Sequence, residues 1–162
     1  MPYSTMFQCT KCYPQDLSSL YQGSKFEEDL PTSISESLLH VIIETKDSGE
    51  FIGYTRLFKH SYKNRDAILG IALLPEFWGR GYATEVLTFI IDYAFQQLAM
   101  HRISLGTFAN NTAAIKVYKR VGFVQEGVRR KANWMDGKWQ DEILMAVLDE
   151  DWAASRQNGA DA

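Results

Sequence analysis

Two segments of the chain carry the residues from which chemistry could be built. The first is Pro75-Glu76-Phe77-Trp78-Gly79-Arg80-Gly81-Tyr82-Ala83-Thr84, which joins an apolar stretch to a long amphipathic one. Glycines at 79 and 81 let the backbone turn tightly and approach a ligand closely. The N–H groups of a helix that opens there have no intrahelical partner and favour an anion. A plain turn is the competing reading of Gly-x-Gly. No Gly-Lys-Ser/Thr follows, and Thr84 stands where a dinucleotide fingerprint has its third glycine, so a diphosphate held by main-chain N–H groups is the functional reading that stays. The second segment is Asn111-Thr112-Ala113-Ala114-Ile115-Lys116-Val117-Tyr118-Lys119-Arg120-Val121-Gly122-Phe123. Asn111 and Tyr118 lie close to two helical turns (about 7.2 residues) apart and share a face. A phenol placed there either packs its helix on a sheet or exchanges a proton with a ligand.

Elements must position these residues. Leu39 to Thr45 is apolar and β-branched, Lys46 to Glu50 reads as a turn, and Phe51 to Phe58 returns as the second arm of a hairpin. A loop from His60 to Asp66 leads to Ala67–Leu73, read as a strand buried on both faces and ended by Pro75. Thr84 to Met100 is a helix, with Leu87, Ile90, Ile91, Ala94 and Leu98 inward and Asp92, Gln96 and Gln97 outward. Arg102 to Thr107 is a strand. Asn110, Asn111 or Thr112 caps the next helix, Lys119 and Arg120 suit its C-terminal dipole, and Gly122 fits a left-handed cap. Phe123 to Val128 and the arms around Asp136-Gly137 supply the last strands. The fold class is α/β (α+β) with a mixed sheet.

The 162 residues suit a single domain, residues 1–152, followed by a polar tail, 153–162, expected to fray. Residues 1–38 are the least legible part, with Glu27-Glu28-Asp29 as a helix start. Charge sums to −3, which disfavours sequence-independent binding to nucleic acid and suits a small or cationic ligand. No apolar run approaches the about 20 residues of a membrane span, and the start lacks a secretory core, so a cytoplasmic protein is expected. Cys9 and Cys12 form a lone C-x-x-C, and His40, His60 and His101 are scattered, so no metal site is expected.

The second segment, taken with Trp78-Gly79-Arg80-Gly81-Tyr82-Ala83-Thr84-Glu85, His101-Arg102-Ile103, Gly122-Phe123, Glu126-Gly127 and Asp136-Gly137 before Asp141, resembles the GNAT superfamily of acyl-CoA-dependent N-acetyltransferases. The branch it looks most like holds the ribosomal-protein N-terminal and spermidine acetyltransferases, and the likeness runs from about Phe51 to Trp152. It implies a mostly antiparallel central sheet with a splayed strand pair and flanking helices. By the same resemblance, Trp78, Gly79, Arg80, Gly81, Tyr82, Ala83 and Thr84 wrap the CoA diphosphate. Pantetheine bonds to backbone near Ile71 and Leu73, Asn111 contacts its arm, and Tyr118 protonates the departing thiolate.

The chemistry is consistent with those roles. When an amine attacks a thioester, negative charge grows on oxygen and then on sulfur; the N–H of Leu73 could meet the first and the Tyr118 phenol the second. Trp78 replaces the usual Gln or Arg that opens the loop. Ile68 replaces a carboxylate commonly proposed as general base, leaving Asp66, Glu126, Asp141 and His101 as candidates for that task. Arg129-Arg130-Lys131 reads as a solvated strand edge or as a contact to a substrate or to the 3′-phosphate. Trp134 and Trp139 read as a cross-strand pair, an acceptor-site lining or a dimer contact. The expected activity is acetyl transfer from acetyl-CoA, as co-substrate, to a primary amine (a protein N-terminus or a small amine) by direct attack in a ternary complex. A polyamine- or antibiotic-type acetyltransferase and a non-catalytic acyl-CoA-binding regulatory module are the alternatives. A homodimer is one way to complete the cleft behind the short N-terminal part.

Overall fold

The computed structural model describes residues 7–9 and 37–160. The start at Glu27-Glu28-Asp29, Cys12, and the last two residues of the expected tail lie outside them. Strands are β1 (Phe7–Cys9), β2 (Ser37–Thr45), β3 (Phe51–Ser61), β4 (Asp66–Leu73), β5 (Arg102–Phe108), β6 (Val124–Met135) and β7 (Lys138–Leu148). Helices are α1 (Tyr82–Gln96), α2 (Thr112–Arg120) and α3 (Asp149–Ala160). The result is a mixed α/β fold. Pairing is antiparallel for β2–β3, β5–β7 and β6–β7, and parallel for β1–β2 and β4–β5.

Two compact units divide the chain. One holds the described residues up to His60 together with Leu69–Val86. Its strand order is β1-β2-β3-β4. Alternation along β2 and β3 buries Leu39, Val41, Ile43, Thr55 and Leu57 on one face, as a half-covered sheet requires, and Ile52, the extra residue at the register shift between the Ile43–Gly53 and Glu44–Phe51 pairs, is buried as well. Thr55 is fully buried and satisfies its hydroxyl by donating to the Gly70 carbonyl at 3.0 Å.

The other unit holds Ser61–Ile68 and Leu87 onward, with strand order β4-β5-β7-β6. Its core joins Leu87, Ile90, Ile91 and Ala94 of α1 to Ile103 and Leu105 of β5 and Met145 and Val147 of β7. The Asp136-Gly137 turn is as expected: both residues have positive φ, 49° and 72°, between the paired Met135 and Lys138. Trp134 and Trp139 pair directly across this hairpin, edge to face at 5.2 Å between centroids.

Four expectations need correction. Strand β4 is not buried on both faces: Ala67 and Leu69 are, but Ile68 is 37% exposed, so the apolar run alternates like its neighbours. The polar segment after Ala153 does not fray but continues α3 to Ala160, with three acidic residues in the first turn complementing the helix dipole. Asp92 is half-buried instead of facing away. It receives the Trp152 indole N–H at 2.7 Å and the Arg156 guanidinium, and Trp152 also leans on Phe95 at 5.5 Å. Helix α1 itself spans Tyr82–Gln96, starting earlier and ending sooner than Thr84–Met100; Ala99, at φ 49°, turns the chain toward β5.

Candidate active site

The Gly79–Gly81 loop is built by what brackets it. Pro75–Phe77 forms a single 3-10 turn, closed by the Trp78 N–H donating to Pro75 O at 3.2 Å. Phe77 and Tyr82 are both buried and meet edge to face at 6.4 Å, so the two ends of the loop are stapled into the core. Between them Gly79 and Gly81 adopt φ of 74° and 90°, the left-handed region that penalises any side chain. A β-carbon at either position would touch nothing within 4 Å, so the space over the loop is clear. Gly81 O accepts the N–H groups of Thr84 and Glu85 at 3.1 and 3.2 Å and starts α1. The main-chain N–H groups of the loop therefore precede a long helix, the arrangement that suits a diphosphate. Arg80 lies over the Phe77 ring at 5.8 Å and adds a positive charge beside the loop.

Ile71 and Leu73 are half-buried on β4 in the same unit. Gly53 on β3 faces this stretch so closely that a β-carbon there would lie 2.3 Å from Ala72 O and 2.9 Å from Leu73 Cα. In a trans peptide the carbonyl oxygen and the next N–H point in opposite directions. The edge carrying Ala72 O faces β3, so the Leu73 N–H points away from β3. A backbone N–H of this kind is the type of group that can donate to an oxyanion.

In the other unit, Asn111 caps α2, its Oδ1 accepting from Ala114 N at 3.2 Å. Its side-chain NH₂ is what stays available to a ligand. The far end of α2 closes with Phe123 N–H donating to Tyr118 O at 2.9 Å and Gly122 N–H to Lys119 O at 3.2 Å, a Schellman pair with Gly122 at φ 105°. This cap turns Phe123 back against Tyr118, with ring centroids 5.9 Å apart. The half-buried Tyr118 is thus fixed both by its helix and by the residue that ends it.

The candidate bases fall into structural partnerships. Glu126 grips Arg102 with both oxygens, one at 2.8 Å, and this bonding holds its carboxyl below the usual range, against a smaller opposing effect of burial. A lowered carboxylate is a poor proton acceptor. Asp141 spends Oδ1 on the Lys131 N–H at 2.7 Å, which secures the bulge where three residues of β6 face one of β7. His101 Nδ1 meets Asp149 Oδ1 at 3.0 Å at the start of α3. Asp66 pairs in register with Arg102, whose charge its own supports. Of the basic run, Arg129 is bonded to Glu142 Oε2 at 2.7 Å. Sequence reasoning passed over Glu142, because the feature that distinguishes it lies on another strand.

Among the described residues no group of three or more His, Cys, Asp or Glu side chains could hold a metal ion, and no helix is long and apolar enough to cross a membrane.

Residues 8–124 match the Acetyltransferase (GNAT) domain family. The chain is 31% identical over 148 residues to the uncharacterized N-acetyltransferase YoaA of Bacillus subtilis, covering 85% of this chain and 84% of that protein. It is 33% identical over 97 residues to the spermidine N(1)-acetyltransferase of Vibrio cholerae, covering 60% of this chain and 56% of that protein. Among solved structures, the dodecameric spermidine N-acetyltransferase from Vibrio cholerae superposes with a TM-score of 0.71 at 28% identity, over 79% of this chain and 75% of that one. The spermidine/spermine N-acetyltransferase SpeG from the same organism gives 0.72 at 26%, over 83% and 80%. The chain therefore belongs to the GNAT family and is an N-acetyltransferase.

Proposed function

We propose that the protein moves an acetyl group from acetyl-CoA to a primary amine by direct attack in a ternary complex. The observation that carries this reading is the clear, positive-φ glycine loop whose main-chain N–H groups open α1. Gly79, Arg80, Gly81 and Ala83 would hold the diphosphate through their backbones, flanked by Trp78, Tyr82 and Thr84, and Ile71 and Leu73 the pantetheine. Asn111 would contribute its side-chain NH₂ and Tyr118 the proton that the thiolate takes on leaving. A CoA thiol, like cysteine, has a pKa of about 8.5 against about 10 for a phenol, so the transfer is close to balanced once charge has built up on sulfur.

A polyamine acceptor is the narrower reading, supported by likeness to spermidine acetyltransferases. Calorimetric titration with acetyl-CoA, followed by CoA-release assays on peptide N-termini, polyamines and an aminoglycoside, tests both. Binding with transfer to one class is the expected result. Tight binding without transfer to any amine would leave a binding module, and no binding at all would remove the proposal.

A further inference from the structure

The sheet β2-β3-β4, in the unit that carries the glycine loop, has two unlike faces. One packs Leu39, Val41, Thr55 and Leu57 into the core. The residues that alternate with these form the other face: His40 on β2, with Tyr54, Arg56 and Phe58 on β3, each half-buried. Arg56 pairs in register with His40. Its guanidinium lies 4.1 Å from the centroid of Phe58 and 5.9 Å from that of Tyr54, so both rings flank it. Burial first, and then Arg56, lowers the His40 pKa below 6.5, so at neutral pH the charge of this group is that of Arg56.

Among the described residues two lysine or arginine side chains are half-buried, Arg56 and Arg102. Arg102 is bonded to Glu126 through both of its terminal nitrogens. Arg56 has no carboxylate partner among the described residues. A cation drawn partly out of water, stacked on a ring and without a counter-charge, suits an anion that arrives with a ligand. A β-carbon at Gly70 would meet Phe58 Cε2 at 3.4 Å and Arg56 Cγ and Nε at 3.6 and 3.7 Å, so the arginine rests alongside β4 at this point. Gly70 immediately precedes Ile71 and lies about 10 Å along the strand from Leu73. From Tyr54 to Phe58 the face runs about 13 Å along β3, roughly the span of four extended peptide residues.

We propose that this face receives the acceptor and that Arg56 selects its class: a peptide N-terminus with an acidic side chain at its second, third or fourth residue. This rests on the acetyl-transfer reading above, in which the thioester is held at Ile71 and Leu73. With the α-amine beside Leu73, about 10 Å of extended chain brings the acidic side chain to Arg56, where a carboxylate meets the guanidinium fork. Tyr54 and Phe58 offer ring surface to the chain on either side of that contact. An α-amine also asks least of the site, since about a tenth of it is neutral at pH 7, against less than about a thousandth of a lysine-like amine. Spermidine would set ammonium groups against Arg56. The transfer balances for any such acceptor: the N–C bond forms and the C–S bond breaks. Of the two protons the ammonium sheds, one ends on the CoA thiol and one in solvent.

The test measures kcat and KM for alanine-based hexapeptides with Glu, Gln or Lys at residue two, three or four, alongside spermidine and 6-aminohexanoate. Wild type, Arg56→Gln and Arg56→Lys are compared, with Tm and acetyl-CoA affinity followed in each. In wild type, kcat/KM for Glu should exceed that for Gln at one of these positions by at least about tenfold, the worth of a charged hydrogen bond, and Lys should rank below Gln. In Arg56→Gln the Glu-to-Gln ratio should collapse to about one, mainly through KM. Arg56→Lys should keep part of the preference, which holds the test open if the Gln variant folds poorly. A residue that only packs the sheet would lower every peptide alike and leave the ratio intact. That result would overturn the assignment while leaving acetyl transfer standing, as would a wild type indifferent to the three side chains or one that prefers spermidine or 6-aminohexanoate. A wild type that binds acetyl-CoA but acetylates no amine would remove both.

Discussion

Gly53 and Ala72 are in closer approach than any side chain at position 53 would allow: a β-carbon there would stand 2.3 Å from the Ala72 carbonyl oxygen. Without a side chain there, β3 and this stretch of β4 lie close together, with the Ala72 carbonyl toward β3 and the Leu73 N–H of the same peptide pointing away. Gly53→Ala should force β4 to shift, costing about 1–3 kcal/mol of stability as overpacking does and lowering kcat more than acetyl-CoA affinity. Thermal melts and steady-state rates check both; a variant with wild-type Tm and kcat would show that the contact positions nothing.

Removing the Tyr118 hydroxyl while keeping the ring preserves the edge-to-face contact with Phe123. Tyr118→Phe should therefore leave Tm and acetyl-CoA affinity near wild type and reduce kcat by about 10²–10⁴-fold. Wild-type turnover would exclude the proton-donor role.

At Gly81 the cost is conformational. No neighbour would clash with a side chain, but φ of 90° is closed to a β-branched residue. Gly81→Val should weaken acetyl-CoA binding at least about tenfold, equivalent to roughly 1.4 kcal/mol, as read by calorimetry. Unchanged affinity would dissociate the loop from the diphosphate.

His40 and Glu126 give opposite ends of an acid-stability profile. Burial first, and then the charge of Arg56, lowers the His40 pKa below 6.5, while Arg102 lowers that of Glu126 below 4.5. In each case the folded state binds protons less readily than the unfolded one. Each contribution is present above the unfolded pKa and is lost as pH falls through the folded value. Tm should therefore begin to drop just below pH 6.5, and His40→Gln should flatten that first step; Glu126→Gln should flatten only the later one, by a small amount because the pair is exposed. A Tm profile unaltered by His40→Gln would contradict the assignment.

Trp152 joins α3 to α1 through Asp92 and Phe95. Trp152→Ala should destabilise by about 2–4 kcal/mol, somewhat less than a fully buried Trp loses, measurable as a lower Cm in urea. A change under 0.5 kcal/mol would show the helix to be only loosely held.

Features governed by neighbours in the chain were legible from the sequence. Asp136-Gly137 specified its own turn and Gly122 its left-handed closure, and the cap of α2 was narrowed to Asn110, Asn111 or Thr112, of which Asn111 takes the role, since each effect acts within a few residues. The Gly79–Gly81 loop was legible for the same reason. What escaped was set across the fold. Polar composition after Ala153 suggested a loose tail, yet Asp92 supplies a partner for Trp152 and Arg156 that no local pattern reveals. An unbroken apolar run suggested that β4 was covered on both sides, yet Ile68 is exposed. Glu142 looked unremarkable because its partner Arg129 lies on another strand, β6.

Helix α3 bears on how the protein is trimmed or fused. A cut at the shift to small polar residues, after Trp152, would sever the helix one turn in, keep the indole and discard Arg156, half of the grip on Asp92. Expression variants and C-terminal labels are better joined so that the whole of Asp149–Ala160 is kept.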